Sequence, residues 1–256
     1  MILLIDIGNT NTVIGLHDGN ALAGHWRIET ALGRTADEYA VILSTLFGLK
    51  GLNQHAPEDA IVSSVVPELN EVYRILCRNL TGRDPLFVGP GVKTGMPILL
   101  DSPREVGADR IVNAVAAYAE YGGPLVVVDF GTATTFDVVS ARGEYLGGAI
   151  CPGPAMSAQA LASRASKLFK VEIEKVEQVI GKSTSACIQA GIYFGYLGQI
   201  DGILSRIARE LEAEPQVIAT GGLAGLFAQE SPRIGRIDQQ LTLKGLKRIY
   251  DRNQER

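Results

Sequence analysis

The chain of 256 residues is 46% hydrophobic and 20% charged, enough apolar material for one large or two small cores. A net charge of −4 and a pI near 5.5 argue against nucleic acid or an anionic membrane as partner, and no apolar run approaches the roughly 18 residues of a membrane span. Without the basic start and cleavage site of a signal peptide the expected location is cytoplasmic, and three cysteines with no CxxC pair suggest neither a disulfide framework nor a zinc site.

Leu3 to Ile7 is an apolar strand interrupted by a carboxylate at Asp6 and followed by Gly8, Asn9, Thr10, Asn11 and Thr12. Glycine admits close backbone approach, and the short hydroxyl and amide side chains bring donors to the same place, which is what phosphate oxygens require. A carboxylate beside phosphates needs an intervening cation, and Mg²⁺ on a nucleotide is the usual one. The same residues also suit an ordinary hairpin. Val13 to Leu16 and Ala23 to Ile28 complete a three-strand meander. Thr35 to Leu49 has helical spacing with Thr35 and Glu38 placed as a capping box. A strand over 60–66, a helix over 68–80, a strand over 86–88 and a Gly/Pro-rich loop over 89–103 follow. His17, His25 and His55 fall in turn, strand and loop, without metal spacing.

Glu105 to Ala114 places Gly107, Asp109 and Arg110 at the start of an apolar helix, where N–H donors and the dipole favour anions. A helix cap with a surface ion pair is the alternative reading. The second half then begins as the first did. Leu125 to Phe130 carries Asp129 and runs into Gly131, Thr132, Thr134 and Thr135, with further strands over 136–139 and through Ile150. Helices are expected over 154–169 and 183–211, a strand over 216–219 ending in Thr220-Gly221-Gly222, and a closing helix over 241–253.

Two copies of a meander, each opening on a strand, an acid and a Gly/Thr turn, predict two α/β lobes, 1–118 and 119–256, with a ligand cleft between them. The pattern resembles the acetate and sugar kinase, Hsp70 and actin superfamily, with the two acidic turns as phosphate loops and Thr220-Gly221-Gly222 as adenosine loop; this implies the actin-like (ribonuclease H-like) fold. Within it, Gly107-Ala-Asp-Arg-Ile-Val-Asn, together with Asp6-Ile-Gly-Asn-Thr-Asn-Thr, Asp129-Phe-Gly-Thr-Ala-Thr-Thr and Gly147-Gly148-Ala-Ile-Cys-Pro-Gly153, resembles the type III pantothenate kinases. The resemblance implies ATP-dependent phosphorylation of pantothenate in coenzyme A synthesis by a cytoplasmic homodimer requiring Mg²⁺ and a monovalent cation, K⁺ or ammonium. It assigns Asp6, Ile7, Gly8, Asn9, Thr10, Asn11, Thr12, Val13 and Thr132 to ATP, with Asp6 acting on Mg²⁺ through water. It assigns Gly107, Ala108, Asp109, Arg110 and Thr184 to pantothenate, Asp109 also as proton acceptor, and Asp129 to the monovalent cation. Where members of the family often carry a substrate-contacting tyrosine, this chain has Leu100. A nucleotide-dependent regulatory factor and a kinase of another small polyol or hydroxy acid are the rival readings.

Overall fold

The computed structural model describes residues 1–52, 56–164 and 168–254; His55 and part of the expected 154–169 helix lie outside them. Each half of the chain builds the same five-stranded sheet. In the first, β1 (Ile2–Ile7), β2 (Asn11–His17), β3 (Leu22–Glu29), β4 (Asp59–Ser64) and β5 (Leu86–Phe87) lie in the order β3-β2-β1-β4-β5. The meander strands pair antiparallel, and β4 and β5 join parallel. In the second, β6 (Leu125–Phe130), β7 (Ala133–Val139), β8 (Tyr145–Pro152), β9 (Gln216–Thr220) and β10 (Arg236–Ile237) repeat that order as β8-β7-β6-β9-β10, with the same senses. The helices are α1 (Ala36–Leu49), α2 (Asn70–Thr81), α3 (Ala108–Tyr121), α4 (Pro154–Arg164), α5 (Thr184–Glu210), α6 (Ala224–Phe227) and α7 (Leu241–Gln254).

Two compact units result, one of Met1–Gly95, Asp101–Ala116 and Leu241–Arg256, the other of Met96–Leu100 and Ala117–Gln240. The expected boundary put the last helix in the second lobe, whereas α7 packs in unit 1. Unit 1 explains why β1 reads as a continuous apolar run, since both of its faces are covered. Leu3, Ile5 and Ile7 meet Tyr39, Leu43 and Phe47 of α1 and Tyr73, Leu76 and Cys77 of α2. The alternate face carries Leu4, fully buried, and its partner Gly15, whose missing Cβ would lie 3.1 Å from Leu243 of α7. In unit 2, Val126, Val128, Phe130, Phe136 and Val138 pack against Ile188, Ile192, Tyr196 and Ile200 of α5 and Phe227 of α6.

The capping box forms as its sequence predicts, with the Thr35 hydroxyl accepting from Glu38 N and the Glu38 carboxylate from Thr35 N. The expected 68–80 helix opens instead as a 3₁₀ turn, Pro67–Leu69, and becomes α-helical at Asn70. Proline at the first position of that turn sets φ without needing an N–H. Phe169 falls outside α4. β10 and α6, of two and four residues, are too short to leave a periodic trace.

Candidate active site

The first acidic turn closes with Gly8 N donating to Asn11 O at 3.1 Å, and a Cβ on Gly8 would stand 2.9 Å from that oxygen. Asp6, half-buried, lies between Val13 on β2 and Ser63 on β4, so its carboxylate shares a sheet face with the Ser63 hydroxyl. Asn9, Thr10 and Asn11 are exposed, while Thr12 is fully buried. Ile7 places its side chain in the core and its carbonyl accepts from Val65 N at 3.0 Å. Of the expected ATP residues, those at 9–11 therefore present side chains to solvent, and Ile7 and Thr12 support the turn from below.

The second turn is one residue shorter. Gly131 N donates to Ala133 O at 3.1 Å, Thr132 is exposed, and Asp129 lies between Thr135 on β7 and Thr220 on β9. Gly221 follows with φ +90°, and a Cβ there would come within 2.4 Å of Asp129 Oδ1 and 2.7 Å of the Phe130 backbone. Only glycine meets both demands. Behind the turn, the fully buried Asp137 accepts from Thr135 Oγ1 at 2.8 Å and from Tyr145 Oη at 2.6 Å. Since the Thr135 proton is committed to Asp137, its hydroxyl can offer only lone pairs on the face it shares with Asp129. Strand alternation alone gives no sign of this pair; a carboxylate in an otherwise apolar Phe136–Val139 run is the one signal that could have found it.

At the start of α3, Asp109 Oδ1 accepts from Arg110 N at 2.8 Å, and Ile111 N reaches back to Gly107 O at 3.4 Å. A Cβ on Gly107 would lie 2.6 Å from Asp109 Oδ1 and 3.6 Å from Val65, so glycine makes room for the carboxylate to fold back over the helix start. Burial pushes the Asp109 carboxyl above the usual carboxylate range, against the opposing pull of the Arg110 backbone N–H and guanidinium. Val65 thus touches both the Ile7 carbonyl and the Gly107 position, linking the first turn to the Asp109 helix within unit 1. Ala108 and Arg110 are half-buried in the same turn of α3.

Thr184 is exposed at the first position of α5 in unit 2, behind the N-cap Ser183 whose hydroxyl accepts from Ala186 N. Leu100 also lies in unit 2, in a segment that joins β8 through Leu99 N to Tyr145 O at 2.8 Å, and its Cδ2 is 3.0 Å from where Gly147 would carry a Cβ.

Among the described residues no three His, Cys, Asp or Glu side chains cluster to cage a metal. The single carboxylate of the first turn, Asp6, fits Mg²⁺ that is held mainly by phosphate oxygens and keeps its waters. A monovalent cation fits beside Asp129, where one carboxylate and the acceptor-only Thr135 hydroxyl share a face.

A sequence model of the type III pantothenate kinases matches residues 2–206. The type III pantothenate kinase of Anaeromyxobacter sp. (strain K) is 55% identical over 253 residues, covering 99% of this chain and 100% of that protein. That of Moorella thermoacetica is 51% identical over 253 residues, with 99% and 100% covered. Solved structures share the fold at lower identity: a Campylobacter jejuni protein named for the Baf family of transcriptional activators (TM-score 0.62, 21% identical, 99% and 100% covered) and the ROK hexokinase of Thermus thermophilus (TM-score 0.51, 14% identical, 100% and 99% covered). With the fold of the actin-like kinases, and matched over nearly its whole length, the chain belongs to the type III pantothenate kinase family.

Proposed function

We propose that the chain transfers the γ-phosphoryl group of ATP to the primary hydroxyl of pantothenate, the first step of coenzyme A synthesis. The observation that carries this reading is the Asp109 carboxyl, folded over Gly107 at the start of α3 and made more basic by burial. A raised carboxylate pKa suits a group whose work is to accept a proton. Asp109 orients the acceptor hydroxyl and takes its proton. Arg110, which cannot deprotonate, anchors pantothenate's carboxylate or the passing phosphoryl. Gly107, Ala108 and Thr184 complete the pantothenate contacts.

Asp6 to Val13 and Thr132 serve the ATP phosphates, chiefly through the exposed donors of the two turns. Mg²⁺ supplies charge neutralisation over the phosphate oxygens when bound, with Asp6 reaching it through water. Asp129, with the Thr135 hydroxyl, holds K⁺ or ammonium. The protein works in the cytoplasm as a homodimer. ADP release from Mg·ATP, followed with and without pantothenate, tests the reading. Release that depends on pantothenate is expected; identical release in its absence would sink the reading, and stimulation by a different hydroxy compound alone would assign the site to that compound.

A further inference from the structure

Thr30 lies one residue beyond β3 and belongs to no motif, yet it makes two hydrogen bonds to the first acidic turn. Its N–H donates to Thr10 O at 3.0 Å and its hydroxyl donates to Gly8 O at 2.7 Å. The Thr12 hydroxyl lies 2.9 Å from the same Thr30 oxygen. With its single proton on Gly8 O, Thr30 Oγ1 can only accept there, so Thr12 donates. A carbonyl and the following N–H point in opposite directions across a planar trans peptide. By taking the carbonyls of residues 8 and 10, Thr30 therefore turns the N–H groups of Asn9 and Asn11 away from itself. Asn9, Thr10 and Asn11 are the exposed residues of the turn.

We infer that Thr30 is a positioning residue that holds the peptide planes of the Gly8–Asn11 turn in the orientation that receives nucleotide phosphate. The inference rests on the reading of this turn as a phosphate site. The second half of the chain supports it by doing the same job with different chemistry. Since Ala133 pairs with Pro152, the counterpart of Thr30 is Gly153, and Gly153 N donates to Thr132 O at 3.0 Å just as Thr30 N does to Thr10 O. There the backbone itself closes on the turn: a Cβ on Gly153 would stand 2.2 Å from Thr132 O and 2.7 Å from Gly131 O. With no hydroxyl at that position, the fully buried Thr134 Oγ1, counterpart of Thr12, has no hydrogen-bond partner among the described residues. Each turn is thus clamped by the end of its third strand, by a threonine hydroxyl in unit 1 and by close backbone contact in unit 2.

Thr30→Val tests the clamp, because it keeps the branched shape and the backbone bond to Thr10 and deletes only the hydroxyl. Mg·ATP binding by calorimetry and the Michaelis constants of both substrates are measured beside thermal melting. The expected result is nucleotide affinity weakened roughly 3- to 10-fold, the effect of one neutral hydrogen bond, with the pantothenate constant unchanged and Thr30→Ser restoring affinity. Unchanged nucleotide affinity, or a loss shared equally by both substrates and not restored by serine, overturns the inference. If the valine variant does not fold, the Thr12→Val/Thr30→Val pair, which leaves no hydroxyl stranded, is measured by the same criteria. Asp6→Asn separates the two levels: if it leaves Mg·ATP binding intact, the phosphate reading of the turn falls and the clamp with it. If Asp6→Asn weakens binding and Thr30→Val does not, only the clamp falls.

Discussion

Asp109 meets two conflicting demands, because the burial that makes its carboxylate a better base also makes the ionised form costly to hold. Its pKa is raised on folding, so its contribution to stability is fully present below the unfolded pKa and is lost as pH rises through the folded value. Above the usual carboxylate range burial of this group therefore works against the fold. Asp109→Asn keeps the size and a capping acceptor while removing the charge. Turnover should fall about 10²- to 10⁴-fold, the usual contribution of a general base, while the melting temperature at neutral pH rises above wild type. The gap should close as pH falls below the usual carboxylate range, and melting scans at both pH values beside turnover check it. A lower melting temperature at neutral pH would remove the burial argument; a loss under about threefold in rate would remove Asp109 from the chemistry. The role proposed for Asp129 makes a different demand, for a cation rather than a proton. Replacing Na⁺ by K⁺ at constant ionic strength should raise the rate severalfold, and Asp129→Asn should abolish the difference; equal rates for wild type in the two salts would sink the cation site. Asp6 and Asp129 stood out in the sequence because each breaks an apolar run just before a glycine, and Asp109 because it follows a glycine at the start of an apolar helix. Asp137 also interrupts an apolar run, but nothing local names Thr135 and Tyr145 as its partners, and Thr30, at a strand end, looks ordinary until its bonds are known.

Helix α7 shows where element-scale reading stops. Its periodicity predicts a helix over 241–253, and the structure has one over Leu241–Gln254, yet nothing local says what it packs on. The answer lies over a hundred residues away: Thr242 Oγ1 donates to Asn113 Oδ1 at 2.7 Å, and Tyr250 Oη donates to Asp59 Oδ2 at 3.0 Å. Gly245 is the point of closest approach, where a Cβ would stand 2.1 Å from Val112 O and 2.7 Å from Val112 Cγ1. Helix propensity alone favours Gly245→Ala by about 1 kcal/mol. Overpacking against backbone costs about 1–3 kcal/mol, and a carbonyl within a helix has little room to yield. The clash should win, lowering the melting temperature and, because Val112 lies on the helix that carries Asp109, raising the Michaelis constant for pantothenate. A higher melting temperature would mean that α7 shifts without loss and does not brace α3.

The whole chain is one architectural idea used twice, with Asp6 and Asp129 at the same sheet position 123 residues apart. The repeat was legible because strand, acid and turn recur in order; the inequality of the copies was not, because it lies in a one-residue difference in turn length and in what closes each turn. The copies also differ in their surfaces. Among the described residues, the exposed large apolar side chains of unit 1 are Leu32, Val41, Leu49 and Ile75. Unit 2 exposes more, among them Ile150, Met156, Leu161, Phe169, Val179 and Ile180, the last at 78% of its full accessibility. A contiguous exposed apolar patch is a common mark of an interface, and Met156 and Leu161 both stand exposed on one helix, α4. If the protein is a homodimer joined through unit 2, sedimentation equilibrium should give twice the chain mass of 27.3 kDa. Met156→Glu/Leu161→Glu should return it to the monomer mass, because two carboxylates per subunit would have to be desolvated at the contact. Far-ultraviolet circular dichroism of that variant should stay unchanged, since both side chains are already exposed at 45% and 42%. Wild type sedimenting as a monomer would dispose of the dimer, whereas a dimeric double variant would keep the dimer and move its contact away from α4.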